Sequence, residues 1–300
     1  MKNTDVKNQS TVTVREHYTT GSVTSKDGIT IGYRQYGHGP ALVLVQGTMG
    51  TAHNFKQLSE ALADHFTVYV PDRRGRGLSS HVGNDYSIQK EVEDLDALLT
   101  KTGAHNVFGL SSGAIISLQA ALSLPAIHKL AIFEPPLFVN DSVTPSAVLK
   151  RYDQEMAQGK VAAALITAMK GAQMGPPIFN AMPRWLSEPL TKMAMAQDDK
   201  NTKGEYVPMR VLAPTLHYDF QLVVEMSGKL ESFRAIRAEV LLLGGSKSPA
   251  FLKTALNDLE KVLPDAKRVE FPGLDHAASW NSDRGGQPEP VAQELRRFFA

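Results

Sequence analysis

Cysteine is missing from this 300-residue chain. That single absence excludes disulfide staples, thiolate catalysis and cysteine-ligated zinc or iron. Long apolar runs are missing as well: no stretch approaches the roughly 18 residues of a membrane-spanning helix, so no membrane span is expected. The polar opening MKNTDVKNQSTVTVREHYTT holds no signal core. Nor is one sign of charge in excess. The 32 basic and 31 acidic residues leave a formal charge of +1, and because Lys and Arg are scattered, no footprint for nucleic acid appears. The reading is a soluble, cytoplasmic protein with a mobile N-terminal arm over residues 1–20.

What is present is enough apolar sequence, 42% of the chain, to bury a full core. Gly21 to Ser25 and Ile29 to Tyr36 flank Lys26-Asp27-Gly28 and predict a hairpin. ALVLVQG (Ala41 to Gly47), FTVYVP (Phe66 to Pro71), NVFGL and KLAIF (Lys129 to Phe133) are continuous apolar runs, as strands buried on both faces require. Helical spacing falls between them, at Phe55 to His65, Ser87 to Thr102 and Ser112 to Leu124. Such alternation predicts an α/β fold with a doubly wound, mostly parallel sheet. From Pro135 to Arg237 the alternation stops and the pattern is helical. It resumes with EVLLLGG (Glu239 to Gly245), a helix from about Ala250, the strand RVEFPG and a closing helix from Pro290 to Phe299. Residues 21–134 and 238–300 are therefore expected to form the core, and 135–237 a helical lid inserted between strands 6 and 7.

The stretch VFGLSSGA carries the chemistry. Gly109-Leu110-Ser111-Ser112-Gly113 satisfies G-x-S-x-G where that pattern is meaningful, after a buried strand and before a helix. The pattern alone arises by chance in on the order of one such chain in ten. Its setting is what singles it out: a turn this tight strains its central residue, the glycines remove Cβ atoms that would collide, and Ser111 projects at the carboxyl end of the sheet. The Ser112 side chain is expected to point away. Its backbone N–H, at a helix start, is suited to developing negative charge.

At these residues the chain resembles the α/β-hydrolase fold family, over nearly all its length after the arm. Gln46-Gly47-Thr48-Met49-Gly50 stands where the family has H-G-x-x-G, with Gln46 departing from His; Pro71 to Ser79 is similar to its D-x-R-G-x-G-x-S segment; Gly273-Leu274-Asp275-His276 is similar to its late histidine motif. The resemblance implies that the N–H of Thr48 is the second oxyanion donor. For Arg73, Arg74 and Arg76, pairing with the protein's own carboxylates and carbonyls is expected. Asp72 is expected to serve as a structural acceptor.

A serine needs a base. Of nine histidines only His276 follows the last strand and precedes the final helix, which returns a loop to the strand ends. His53 is read as an ordinary helix-start residue and His217 as a packing residue. The acid is absent from its usual turn, which reads Gly244-Gly245-Ser246-Lys247-Ser248-Pro249. Glu134, at the end of the strand expected beside the serine's, lies about 4.8 Å across from it and can reach the same histidine. Some branches of the family, haloalkane dehalogenases and zearalenone-type lactonases among them, place the acid there. The lactonases share the G-x-S-S-G elbow.

The resemblance thus implies a serine hydrolase of carboxylic esters or lactones acting through Ser111, His276 and Glu134, without metal or organic cofactor. A serine nucleophile argues against dehalogenase and epoxide-hydrolase chemistry. The lid's methionines and aromatics suit a small hydrophobic ester or lactone, with Trp185, Met49, Met174 and Phe179 as expected substrate contacts. A homodimer stays open as an option. Two alternatives stand beside this reading: cofactor-free C–C cleavage, lyase or oxygenase chemistry on similar serine and histidine positions, and a non-enzymatic ligand receptor.

Overall fold

The computed structural model describes residues 17–137, 145–174, 177–201, 205–263 and 265–300. Most of the expected arm, residues 1–16, lies outside these. Tyr18 to Thr20, expected to belong to the arm, instead open Tyr18–Thr24 (β1) and pair in register with Tyr36 to Arg34 of Thr30–Tyr36 (β2).

The apolar runs become Ala41–Val45 (β3), Thr67–Pro71 (β4), Asn106–Leu110 (β5), Lys129–Phe133 (β6), Glu239–Gly245 (β7) and Lys267–Phe271 (β8). One eight-stranded sheet has the order β1-β2-β4-β3-β5-β6-β7-β8, parallel from β4 to β8. β2 runs against both its neighbours. The helices of the core are Lys56–Leu62 (α1), Ile88–Thr102 (α2) and Ser112–Ser123 (α3). Between β6 and β7 come Pro145–Ala157 (α4), Val161–Gly171 (α5), Pro177–Ala181 (α6), Arg184–Asp198 (α7), Met209–Leu212 (α8) and Leu216–Glu225 (α9). Ala250–Val262 (α10) and Pro288–Phe299 (α11) complete the chain.

Two cores lie on the two faces of the sheet. One is built around α2, α3 and α10, with Leu95, Leu98, Ile115, Leu118, Leu256 and Leu259 buried. The other forms under α1 and α11, where Val291, Leu295 and Phe298 recur at helical spacing and meet Leu58 and Leu62. Each such side chain contributes about 1.5–3 kcal/mol of burial. A third, smaller cluster, including Tyr152, Leu165, Met195 and Leu216, holds the inserted helices together. Yet Leu222, Val223 and Met226, in and just after α9, join the first core. The last inserted helix is thereby rooted in the body of the protein, while α4 packs on α5 and α9, and α5 on α7.

Candidate active site

Ser111 is the turn between β5 and α3. Its backbone has φ 56° and ψ −121°, a conformation that costs a residue with a Cβ roughly 1–3 kcal/mol. The turn is held by Ser111 N donating to Phe133 O at 2.9 Å on β6, and by Ala114 N and Ile115 N donating to Ser111 O. Its glycines are obligatory on steric grounds. A Cβ on Gly113 would lie 2.3 Å from Val45 O, and one on Gly109 2.6 Å from Gly113 O. Gly47 meets the same constraint from the other side, 2.8 Å from Ser111 Cβ. The β3 loop and the elbow are therefore in direct contact.

That contact brings Thr48 to Ser112: their hydroxyls are 3.4 Å apart. Among the described residues the backbone N–H groups of both have no acceptor. Met49, next in the loop, has φ 53°. Gln46, in place of histidine, is fully buried and donates from Nε2 to Pro71 O at 2.5 Å, tying this loop to the end of β4.

Glu134 follows β6 and is completely buried. Its φ of 46° is again positive; the backbone is pinned by Glu134 N donating to Leu243 O at 3.1 Å. The carboxylate is divided between two partners. Oε1 accepts from Gly245 N at 2.7 Å, and Oε2 lies 2.8 Å from His276 Nδ1. A Cβ on Gly244 would come within 2.9 Å of Oε1, so the glycine pair ending β7 makes the seat for the acid. Met49, Ser111 and Glu134 are three of the five described non-glycine residues with positive φ, and strain concentrated this way marks functional ground. Asp275 is occupied locally, accepting from Ala277 N.

Ser111 and His276 line one cavity of about 600 Å³ beneath the inserted helices. Ser111 Oγ makes no hydrogen bond among the described residues, so its link to the imidazole is open here; such links commonly tighten only when substrate is bound. The described residues hold no cluster of three or more His, Asp or Glu suited to a metal ion.

Met49 and Met174 line the cavity, as do Leu165 and Met169 of α5 and Trp280 of the histidine loop. Trp185 and Phe179 do not, and both expectations are corrected. The buried positions of α7 are Ser187 and Met195, and helical periodicity puts Trp185 on another face, 76% exposed. Phe179 instead turns its ring toward Lys170 Nζ, 6.0 Å away. His53 and His217 do not line the cavity either; His217 Nδ1 lies 2.8 Å from Asp153 Oδ1.

Below the elbow lies a buried charge network that the sequence showed only in part. Arg73 donates to Glu91 Oε1 and, at 2.6 Å, to Asp219 Oδ1. Arg76 donates to Asp219 Oδ2 at 2.6 Å and to Gly47 O at 3.1 Å. The Ser112 hydroxyl, turned away from the cavity, donates to Asp219 Oδ1 at 2.8 Å and accepts from Arg73. Burial by itself would raise the Asp219 carboxyl, but the Arg76 and Arg73 guanidiniums hold it below the ordinary carboxylate range. Arg74 pairs with Asp94 and Asp27. Asp72 accepts from Ala52 N and Leu78 N, bracing both loops, and burial raises its carboxyl. Asp219 was missed although a signal existed: it is a carboxylate within the apolar stretch LHYDF, in a chain with three clustered arginines to neutralise.

With this geometry in view, comparison with known proteins is informative. Residues 42–294 match the model of the alpha/beta hydrolase family. The chain belongs to that family. A crystal structure of an alpha/beta hydrolase from Sphaerobacter thermophilus is 31% identical, covers 93% of this chain and 100% of that one, and superposes with a TM-score of 0.75. Pimeloyl-[acyl-carrier protein] methyl ester esterase of Xanthomonas axonopodis pv. citri is 24% identical over 266 residues, 88% of this hydrolase-family chain and 96% of the esterase. N-formylmaleamate deformylase of Pseudomonas putida is 34% identical over 125 residues, which is 40% of this chain and 47% of the deformylase. The chain thus matches about half the length of that relative. No helix among the described residues is long and apolar enough to cross a membrane.

Proposed function

We propose that this protein hydrolyses a carboxylic ester or lactone of a hydrophobic substrate through an acyl-enzyme on Ser111. The observation that carries the reading is the 2.8 Å contact between Glu134 Oε2 and His276 Nδ1 at the wall of the cavity that Ser111 also lines. Glu134 Oε2 accepts a hydrogen bond from Nδ1–H, which keeps its proton, and so leaves Nε2 as the base. His276 takes the Ser111 proton as Oγ attacks the acyl carbon, and the N–H groups of Thr48 and Ser112 hold the oxyanion. The imidazolium then protonates the departing alcohol. Water enters, gives a proton to Nε2 and attacks the acyl carbon; as the acyl–Oγ bond breaks, the imidazolium returns that proton to Ser111 Oγ and the acid leaves. The apolar lining, with Met49, Met169, Met174 and Leu165, suits a flexible or bulky acyl group.

The sharper form of the proposal is lactone hydrolysis of the zearalenone type, supported by the G-x-S-S-G elbow and by an acid after β6. A methyl ester esterase among the relatives supports ester cleavage in general. The test combines labelling and turnover. A fluorophosphonate probe is expected to add one adduct, on Ser111, and Ser111→Ala is expected to lose the adduct together with hydrolysis of p-nitrophenyl esters and lactones. Absence of adduct and turnover in the native protein, with oxygen uptake or diketone cleavage instead, would overturn the reading.

A further inference from the structure

Asp219, His276 and Arg284 line the cavity. Two are already matched. Asp219 is neutralised by Arg73 and Arg76, and His276 is engaged by Glu134. Arg284 differs. Its Nη1 donates to Met49 O at 3.3 Å, its guanidinium carbon lies 5.7 Å from the centre of the Trp280 ring, and the Tyr206 hydroxyl is beside it. All three neighbours are neutral groups, and no carboxylate of the described residues pairs with it within 4.0 Å. The side chain is half-buried in a wall that is otherwise largely apolar.

A guanidinium so placed gives up part of its hydration and gains in return one long hydrogen bond to Met49 O, the neighbouring Tyr206 hydroxyl and an aromatic face, none of which carries a negative charge. Its planar fork of donors has the geometry of a bidentate carboxylate site. One cation balances one negative charge; a phosphate monoester, close to two negative charges at neutral pH, would need a second donor cluster.

We propose that Arg284 binds a carboxylate carried by the substrate, so that the protein selects esters or lactones with an apolar body and an anionic end. The reaction at the other end rests on the acyl-hydrolase reading above, but the anion site does not depend on turnover. Its position also follows from the chain: Arg284 closes the short turn after the His276 loop and reaches the carbonyl of Met49, beside the Thr48 oxyanion loop. The carboxylate end and the reacting acyl group would therefore share one side of the cavity.

The test uses binding to the uncleaving Ser111→Ala protein, by calorimetry, of monomethyl adipate and of the neutral ester of equal chain length, methyl hexanoate. The half-ester is expected to bind at least about tenfold more tightly, as hydrogen bonds to a charged group predict. In Ser111→Ala/Arg284→Gln the ratio of the two affinities is expected to fall at least tenfold. Equal affinities in the Arg284 protein, no binding of the half-ester, or a ratio that survives the glutamine variant would each overturn the proposal. Should that variant not fold, Arg284→Lys keeps charge without the fork; an unchanged ratio there would also overturn it. A half-ester preference in a protein whose native form turns over no ester would remove the acyl-hydrolase reading and leave the anion site standing.

Discussion

Glu134 combines three properties at the scale of single residues: total burial, a positive φ, and a carboxylate shared between Gly245 N and His276. A group held this way cannot relax toward water, and in the proposed mechanism it would stabilise an imidazolium formed 2.8 Å away. Glu134→Gln keeps the shape but can present its amide N–H₂ to Nδ1, favouring the wrong tautomer. The expected outcome is a kcat lower by on the order of 10³ or more, with an unchanged circular dichroism spectrum. Near-normal turnover would assign the acid elsewhere. At this scale the sequence was partly legible. Ser111, His276 and Glu134 were found because motif spacing and strand ends constrain them. Arg284 and Tyr206 were not, because nothing local distinguishes a cavity-lining polar residue from a solvated one, and Asp219 was passed over although its apolar neighbours marked it.

Among the elements, the decisive one is the turn joining β5 to α3, whose close approach to the β3 loop sets the distance between elbow and oxyanion loop. Val45 O and Gln46 O stand where a Cβ on Gly113 would be. Backbone of a central strand cannot yield as a side chain can. Gly113→Ala is expected to destabilise the protein by about 1–3 kcal/mol and to reduce turnover further than that loss explains, measured by urea unfolding alongside ester kinetics. Turnover unchanged in a fully folded variant would show that the loop spacing is not critical. The periodicity of α2 and α11 was readable because one face of each meets the sheet. For α6 and α7 the apolar composition misled. Their apolar residues at Phe179 and Trp185 looked like cavity contacts, whereas the inward positions of α7 are Ser187 and Met195.

Across the whole molecule, α9 couples the inserted helices to the elbow through Asp219, which binds Arg73, Arg76 and Ser112 at once. Removing one partner of a buried ion cluster leaves uncompensated charge. Asp219→Asn is therefore expected to cost about 3–5 kcal/mol in urea unfolding. The pH dependence has a defined sign. Because the folded-state carboxyl lies below its unfolded value near 4, its stabilisation is complete above about pH 4 and is lost as pH falls through the folded value. The difference in stability between the native protein and Asp219→Asn should thus be flat from pH 7 to about 4 and shrink below it. A difference that instead shrinks as pH rises above 4 would exclude Asp219 as the charged member.

The sequence by itself determined the layered α/β architecture, the place of the insertion between β6 and β7, and the three residues of the proposed triad. Apolar runs, helical periods and the tight glycine turn are local consequences of burial and backbone sterics, which are written into neighbouring residues. Only the tertiary structure decided which side chains of the inserted helices face the cavity, which arginines are neutralised, and that the arginine lining the cavity has no carboxylate partner among the described residues. Those outcomes depend on how helices far apart in the chain rotate and dock, and on a charge balance summed over residues that meet only when the fold closes.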